Sequence, residues 1–190
     1  MLSDRAKQLI PKARIVSFAD WQDSEPIALI NLFQQADDEG RYLSQEDLAQ
    51  IQTQKPIELI EAANYLRANA ETIVEAARAK VLTQFPQITE PGGELYPPER
   101  AQACWRDFWH FLRCVTYGVA GYHQEFTSTE GLHYMRLLYQ ELRVPLEAMI
   151  LGLESLQTES LARLTIDSAN LDFIGQCFDH LIMALASFKE

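Results

Sequence analysis

The longest regular pattern in the sequence runs from Ile57 to Phe85 and predicts a helix. Apolar residues recur there about every 3.6 residues, the spacing that puts them on one side of an α-helix. They are Ile60, Ala63, Leu66, Ala70, Ile73, Ala77, Val81 and Leu82. No segment alternates between apolar and polar residues over a useful length, as a half-buried strand would. The pattern therefore predicts an all-α protein.

Prolines, glycines and capping residues divide the rest of the chain into further helices. Ser44 followed by Asp47 resembles a capping box, which marks the start of a helix. Helices are predicted at 26–40, 44–52, 99–121, 128–143, 145–156 and 168–188. Apart from a short helix before Pro11, residues 1–25 have no clear period. We therefore expect an N-terminal arm over 1–25 and one helical domain over 26–190.

The composition favours one folded domain. Apolar residues make up 47% of the 190 residues, enough for a sizeable core. The net charge of −11 is spread along the chain and argues against nucleic acid or an anionic membrane as the main partner. The three cysteines have no zinc-site spacing, and their odd number fits a reducing compartment.

The segment Arg100–Tyr122 carries the residues with the most varied chemistry. On a helix, Arg100, Cys104, Asp107 and Phe111 would share one face. A thiol and a carboxylate among bulky aromatic side chains need either solvent or a ligand with several functional groups. The face therefore predicts a lined pocket, with Phe111 in its wall.

Catalytic and metal sites are not expected. The four histidines are dispersed, and none has the spacing of a helical zinc site. Cys104 has no histidine one helical turn away and no glycine-rich nucleophile elbow. His110 could ligate haem iron in a globin-like bundle, although it lies off the thiol face and is more simply interpreted as a packed histidine. We expect no enzyme and no metal site, and a haem-binding sensor is the least favoured hypothesis.

The groups around Cys104 match the chemistry of a linear tetrapyrrole. Such a pigment has propionates that bind cations, pyrrole nitrogens whose protonated form binds a carboxylate, and a side-chain double bond to which a thiol can add. The matching residues are Arg100 and Arg106, Asp107, and Cys104.

Several motifs between about Pro26 and Ser187 point to one family. They are QADDEGRYLSQEDL, EAANYLRANAETIVEAARAKVL, PGGELY, CWRDFWHFLRCVTYGV, YQELRVPLEAMILGL and CFDHLIMAL. The sequence thus resembles the phycobiliproteins of phycobilisomes, and among these the allophycocyanin-type subunits. The resemblance implies a globin-like helical bundle with an N-terminal extension, and a bilin-binding protein of light harvesting.

The resemblance also implies roles for individual residues. Cys104 would form the thioether to one bilin, expected to be phycocyanobilin, and Asp107 would hold its inner pyrrole nitrogens. Arg106 would bind a propionate, with Arg100 nearby. Arg106 lies about 200° around the helix from Cys104, so its role follows from the resemblance alone. Glu94 stands in the preceding loop where many members have asparagine, and its carboxylate would change the field at the pigment.

A subunit interface is implied as well. In the family, an acid of the first helix pairs across the interface with the arginine after the chromophore motif; here these would be Asp37 and Arg113, joined by Tyr117. The expected partners are other phycobiliprotein subunits or a second copy of this chain, with linker proteins and a bilin lyase, at the cytoplasmic face of thylakoids. The alternative hypothesis is a divergent, chromophore-free relative that acts in phycobilisome assembly or regulation.

Overall fold

The structure, a computed structural model, describes residues 2–189 and contains nine α-helices within them. They are α1 (Asp4–Leu9), α2 (Ile27–Asp38), α3 (Gln45–Ile51), α4 (Ile57–Ala68), α5 (Ala70–Gln84), α6 (Pro98–Gly121), α7 (Thr129–Leu142), α8 (Leu146–Leu161) and α9 (Ser168–Ala186). Short 3₁₀ turns lie at Ile10–Lys12, Ala19–Trp21 and Ser187–Lys189. Extended pairing within residues 2–189 is limited to one isolated bridge between Val16 and Thr127. The predicted all-α, globin-like fold class is confirmed.

Most helix boundaries follow local signals in the sequence, with two differences: α8 continues to Leu161 where the prediction ends at 156, and the segment Ile57–Phe85 forms two helices. The capping box of α3 is confirmed, because the Ser44 hydroxyl accepts from the Asp47 N–H (3.1 Å) and the Asp47 carboxylate accepts from the Ser44 N–H (2.7 Å). The prediction of one helix over Ile57–Phe85 is wrong, because α4 ends before Asn69 and α5 starts after it. The Asn69 side chain donates to the Tyr65 carbonyl (2.8 Å), and such local bonds compete with the helical ladder.

Helix α6 lies at the centre of the core. All residues of its second half, 111–121, are buried, and α4, α5, α8 and α9 pack around it. Gly152 lets α8 approach closely, because a methyl group there would overlap the Phe108 ring. Within residues 2–189, α9 with its terminal turn is the one helix long and apolar enough to cross a membrane. Its Ile174, Phe178 and Leu181 side chains are fully buried in the core of this bundle.

The N-terminal arm packs onto the bundle. Its backbone pairs with the segment before α7, since the Ser17 N–H donates to the Phe126 carbonyl (3.0 Å) and the Ser128 N–H donates to the Ile15 carbonyl (2.7 Å). Residues 2–25 therefore share hydrogen bonds with the helices, while the predicted boundary between an arm and a domain stays a prediction.

Trp21 anchors the arm. Its ring is 1% exposed and lies against α6 at Gly121, where any side chain would overlap it. The ring stacks on His123, with centroids 4.3 Å apart, and meets Phe33 of α2 edge-on at 5.1 Å. The indole N–H donates to the Glu125 carbonyl (3.1 Å). The arm thus joins α2 to α6 and to the turn that follows α6.

Ion pairs hold the arm on both sides of Trp21. Arg14 contacts the carboxylates of Asp37 (2.7 Å) and Asp38 (2.6 Å) in α2. Glu25 pairs with Lys55, and both of these side chains are nearly buried. Removing one partner of a buried pair leaves an uncompensated charge, so this pair holds Glu25 beside Lys55.

A methyl group at Gly131 is expected to push the arm off α7. It would overlap the Arg14 carbonyl oxygen, which belongs to the backbone and cannot rotate away. Alanine is a better helix former than glycine by about 1 kcal/mol, but overpacking of this kind destabilises by about 1–3 kcal/mol. We therefore expect Gly131→Ala to lower the free energy of unfolding, measured by urea unfolding followed by circular dichroism.

Gly175→Ala is the matched control. Gly175 is also buried in a helix, α9, but a methyl group there would meet its nearest atom at 3.7 Å, an ordinary contact. We expect this substitution to be neutral or to stabilise by up to about 1 kcal/mol. Equal effects of the two substitutions would contradict the close contact between Gly131 and the arm.

Candidate functional site

Cys104 and Asp107 lie in the first half of α6. The helix starts at Pro98, which suits a first turn because the N–H that it lacks would go unpaired there. About one helical turn separates Cys104 from Asp107, so both lie on the same side of α6. Tyr139 of α7 donates its hydroxyl proton to Asp107 Oδ2 (2.9 Å). Tyr139, a residue of another helix, therefore contacts the face of α6 that the sequence predicts.

The Cys104 thiol is almost completely covered. The residue is 5% exposed, and burial raises the pKa of its thiol to about 12. The negative charge of Asp107 adds to this rise in pKa, whereas the positive charge of Arg100 opposes it. Because the thiolate is the nucleophile, Cys104 reacts slowly while it is covered.

The Asp107 carboxylate is also held away from most of the solvent. Burial raises the pKa of Asp107 to about 6, while the hydrogen bond from Tyr139 and the charge of Arg106 lower it. Burial likewise raises the pKa of Tyr139 well above its ordinary value, and the nearby Asp107 charge adds to the rise. Tyr139 is therefore the donor of this hydrogen bond, and Asp107 is the acceptor.

Arg100 joins the start of α6 to the end of α7. Its guanidinium donates to the carbonyl oxygens of Leu142 (2.9 Å), Arg143 (3.1 Å) and Glu94 (3.1 Å). The last carbonyls of a helix lack intrahelical donors, so a cation there is favourable. Binding of a pigment propionate near Arg100 stays a prediction, and in this structure Nε and Nη2 of Arg100 donate to backbone carbonyls.

The other predicted site residues lie in three different settings. Arg106 is exposed, and its charge lowers the pKa of Asp107. Glu94 is exposed and contributes its carbonyl oxygen to Arg100. Phe111 is 1% exposed and belongs to the core. Their roles toward a pigment stay predictions.

Sequence reasoning missed two neighbours of the site. Arg78 of α5 lies over the Trp105 ring at 5.7 Å, a cation–π contact beside Cys104. Tyr139 is far along the chain from Cys104, and the one signal for it was its place at the start of a family motif. Neither contact has a local sequence pattern, because each joins α6 to another helix.

Comparison with known proteins decides the family. A model of the phycobilisome protein family matches residues 31–185. The chain belongs to the phycobilisome protein family. The match begins within α2, so the arm of this phycobiliprotein lies outside it.

Several similar proteins are allophycocyanin subunits. The chain is 31% identical to allophycocyanin subunit alpha-B of Synechocystis sp. over 154 residues, which cover 80% of this chain and 94% of that protein. It is 33% identical to the allophycocyanin alpha chain of Cyanophora paradoxa over 152 residues, 79% of this chain and 93% of that protein. It is 28% identical to allophycocyanin subunit beta-18 of Synechocystis sp. over 166 residues, 85% and 98% of the two chains. The resemblance to allophycocyanin-like phycobiliproteins is confirmed.

The residues expected at a subunit interface meet within one chain of this phycobiliprotein. Arg113 pairs with Asp37 (3.3 Å) and donates to the Tyr117 hydroxyl (3.0 Å), and that hydroxyl donates to the Arg41 carbonyl. Arg14 of the arm contacts Asp37 as well. The pair forms within the chain because the arm and α2 fold onto α6, and its formation between two subunits stays a prediction.

His110 has the environment of a packed histidine. It lies beside Trp109, with ring centroids 5.3 Å apart, and its buried Nδ1 has no hydrogen-bond partner among residues 2–189. Burial lowers the pKa of His110 to about 4, and the charges of Arg113 and Arg106 lower it further. In the described part of the chain, no three His, Cys, Asp or Glu side chains cluster in a way that could hold a metal ion. The phycobiliprotein family favours the bilin hypothesis over the haem hypothesis.

The chemistry of the residues present fits a linear tetrapyrrole. Cys104 supplies a thiol and Asp107 a carboxylate on the same side of α6, and Arg106 supplies a cation close enough to affect the carboxylate. Only one oxygen of Asp107 is bonded to Tyr139, which leaves the other available to N–H donors. The fit requires one change, because the Cys104 thiol has to be uncovered before it can react.

Proposed function

We propose that this phycobiliprotein carries one bilin, attached by a thioether to Cys104, and passes excitation energy to neighbouring pigments of the phycobilisome. The observation that carries the proposal is the placement of a buried thiol and a half-buried carboxylate of raised pKa, about 6 for Asp107, on one face of α6. The allophycocyanin relatives support it, since phycobiliproteins are light-harvesting pigment proteins and not enzymes.

Each residue has a distinct task in this proposal. The pigment, expected to be phycocyanobilin, supplies the absorption of visible light. The Cys104 sulfur adds to one carbon of a side-chain double bond and the thiol proton goes to the other carbon, so no group leaves. The Asp107 carboxylate accepts the pyrrole N–H groups and favours their protonated form. Arg106 binds a propionate, and the packed aromatic side chains of α6 limit rotation of the pigment.

Attachment requires help, because Cys104 is covered and its thiolate is scarce. The residue is 5% exposed, and its pKa of about 12 leaves a very small ionised fraction at neutral pH. A bilin lyase that uncovers the thiol, takes up its proton and passes that proton to the second carbon of the double bond would remove both obstacles. We therefore expect attachment to depend on such an enzyme.

Assembly with other proteins belongs to the same proposal. Phycobiliproteins assemble with other phycobiliprotein subunits, and we expect this chain to join them, with linker proteins, at the cytoplasmic face of thylakoids. The face around Arg113 is already occupied by α2 of the same chain. A partner would therefore either exchange with α2 at that face or bind elsewhere on the bundle.

Substitution of Cys104 tests the attachment. We expect the chain, co-produced with a bilin and a lyase, to gain visible absorbance and to show zinc-induced fluorescence on a denaturing gel. Cys104→Ala is expected to lose both signals completely, because no covalent bond remains after denaturation. The measurement is the ratio of pigment absorbance to protein absorbance, together with gel fluorescence.

Two other cysteines provide matched controls. Cys114 is 1% exposed and lies about two helical turns beyond Asp107 on α6, and Cys177 is fully buried in α9. Cys114→Ala and Cys177→Ala are expected to keep covalent pigment. Covalent pigment that persists in Cys104→Ala would reject attachment at Cys104.

A chromophore-free assembly or regulatory factor is the second candidate. One observation favours it: the arm and α2 cover Arg113 and Tyr117 within the chain, so the protein can exist without a partner at this face. The intact mass of the protein from its native source separates the two candidates. A mass increased by one bilin supports the first, and an unmodified mass with co-purifying phycobilisome proteins supports the second.

A further inference from the structure

The hydrogen bond between Tyr139 and Asp107 is the one side-chain contact that fixes the carboxylate of the candidate site. Tyr139 is 6% exposed, and its Oη lies 2.9 Å from Asp107 Oδ2. No other residue within 2–189 hydrogen-bonds this carboxylate. The Phe188 ring meets the Tyr139 ring edge-on, with centroids 6.1 Å apart and planes at 90°, and so restrains its position. The hydroxyl is thus aimed at Asp107 by packing.

We propose that Tyr139 is the positioning residue for Asp107: by bonding Oδ2 it orients the carboxylate so that Oδ1 faces the pyrrole nitrogens of the bound pigment. This inference rests on the proposed function, since it assigns a role within the same site. A carboxylate that already accepts one neutral donor stays ionised to lower pH and cannot turn both oxygens away from the pigment.

Three titratable or charged groups lie near Asp107. Tyr139 reaches it from α7, and Cys104 and Arg106 lie beside it on α6. The Tyr139 hydroxyl and the Arg106 charge lower the pKa of Asp107. Cys104 is uncharged at neutral pH, because its pKa is about 12. Removal of the hydroxyl alone therefore has a defined direction: the pKa of Asp107 rises.

Tyr139→Phe removes the hydroxyl and keeps the ring. In the pigment-free protein we expect the pKa of Asp107, followed by carboxyl carbon NMR, to rise from about 6 to about 7 or higher, because the hydroxyl no longer stabilises the ionised form. In the pigment-loaded protein we expect the acid loss of the visible band to move to higher pH by a similar amount. A role in packing alone would move neither midpoint.

Tyr134→Phe is the matched control on the same helix. Its ring contacts the Lys12 ammonium at 5.0 Å, and Asp107 accepts its bond from Tyr139 instead. We expect both midpoints of the control to equal those of the unchanged protein. If Tyr139→Phe fails to fold, 3-fluorotyrosine placed at position 139 alone provides a stronger donor of nearly the same shape, and it should lower the pKa of Asp107.

The two measurements separate the failure of this inference from that of the proposed function. If the unchanged chain carries no pigment on Cys104 but Tyr139→Phe raises the pKa of Asp107, the bilin site is rejected. The hydrogen bond from Tyr139 to Asp107 is then still supported. A loaded protein in which Tyr139→Phe leaves the pKa and the acid midpoint unchanged would overturn the positioning role. A pKa that rises with fluorotyrosine would overturn it as well.

Discussion

Replacement of Trp21 by alanine is expected to lower the free energy of unfolding by about 3–5 kcal/mol, the range for loss of a buried tryptophan. The ring is 1% exposed, stacks on His123 and meets Phe33, so its removal leaves a cavity between the arm and α6 that the helices cannot easily close. It also removes the hydrogen bond to the Glu125 carbonyl. Such a loss is a large part of the total stability of a domain, which is about 5–15 kcal/mol.

Guanidinium unfolding followed by circular dichroism measures this effect without relying on tryptophan fluorescence. Ile10→Ala is the control within the arm, because Ile10 is 46% exposed and its substitution should change stability by no more than about 0.5 kcal/mol. If Trp21→Ala had an effect as small as that of Ile10→Ala, the contacts of Trp21 would contribute little to the stability of the folded protein. The expected difference would make the arm part of the folded unit.

Asp107→Asn is expected to stabilise the pigment-free protein at neutral pH. Burial raises the pKa of Asp107 to about 6 in the folded state, above the value of about 3.9 in an unfolded chain. The folded protein therefore binds the proton more tightly, and its stability from this group is present below pH 4 and lost as the pH rises through 6. At pH 7 the ionised carboxylate lowers stability by roughly 3 kcal/mol, and asparagine removes this effect.

The measurement is the free energy of unfolding of both proteins between pH 4 and pH 8. We expect the advantage of Asp107→Asn to grow from near zero at the acid end to a few kcal/mol by pH 7 and then to stay constant. Asp172→Asn, at an exposed position of α9, controls for the loss of one negative charge. A constant difference at all pH values would mean that Asp107 is not held in a nearly buried environment.

Together these two results would show that the ionised Asp107 lowers the free energy of unfolding and that the arm raises it. Asp107 lies where an ionised carboxylate is unfavourable, which is common where a group must meet a charged ligand. The arm makes its contacts elsewhere, through the Arg14–Asp37 and Glu25–Lys55 ion pairs and the hydrogen bond from Trp21 to the Glu125 carbonyl. The arm lies outside residues 31–185, which the family model matches.

Much of the helical framework was predictable from local pattern. Prolines, glycines and capping residues predicted helices at the places of α2, α6 and α9, and the capping box at Ser44 predicted the start of α3. These features depend on neighbours within a few residues, so they can be predicted without knowledge of the fold. The break at Asn69 was missed, because the apolar pattern continues through it and a side-chain bond decides the bend.

The sequence also determined which chemical groups share the face of α6, because helical period sets the angle between Cys104 and Asp107 wherever the helix lies. The residues that contact this face are set by the packing of the helices. Tyr139 reaches Asp107 from α7, Arg100 donates to the carbonyls that end α7, and Asp37 of α2 pairs with Arg113 of α6 within one chain. Each of these contacts joins segments far apart in the chain, so it depends on how whole helices pack and not on any local spacing.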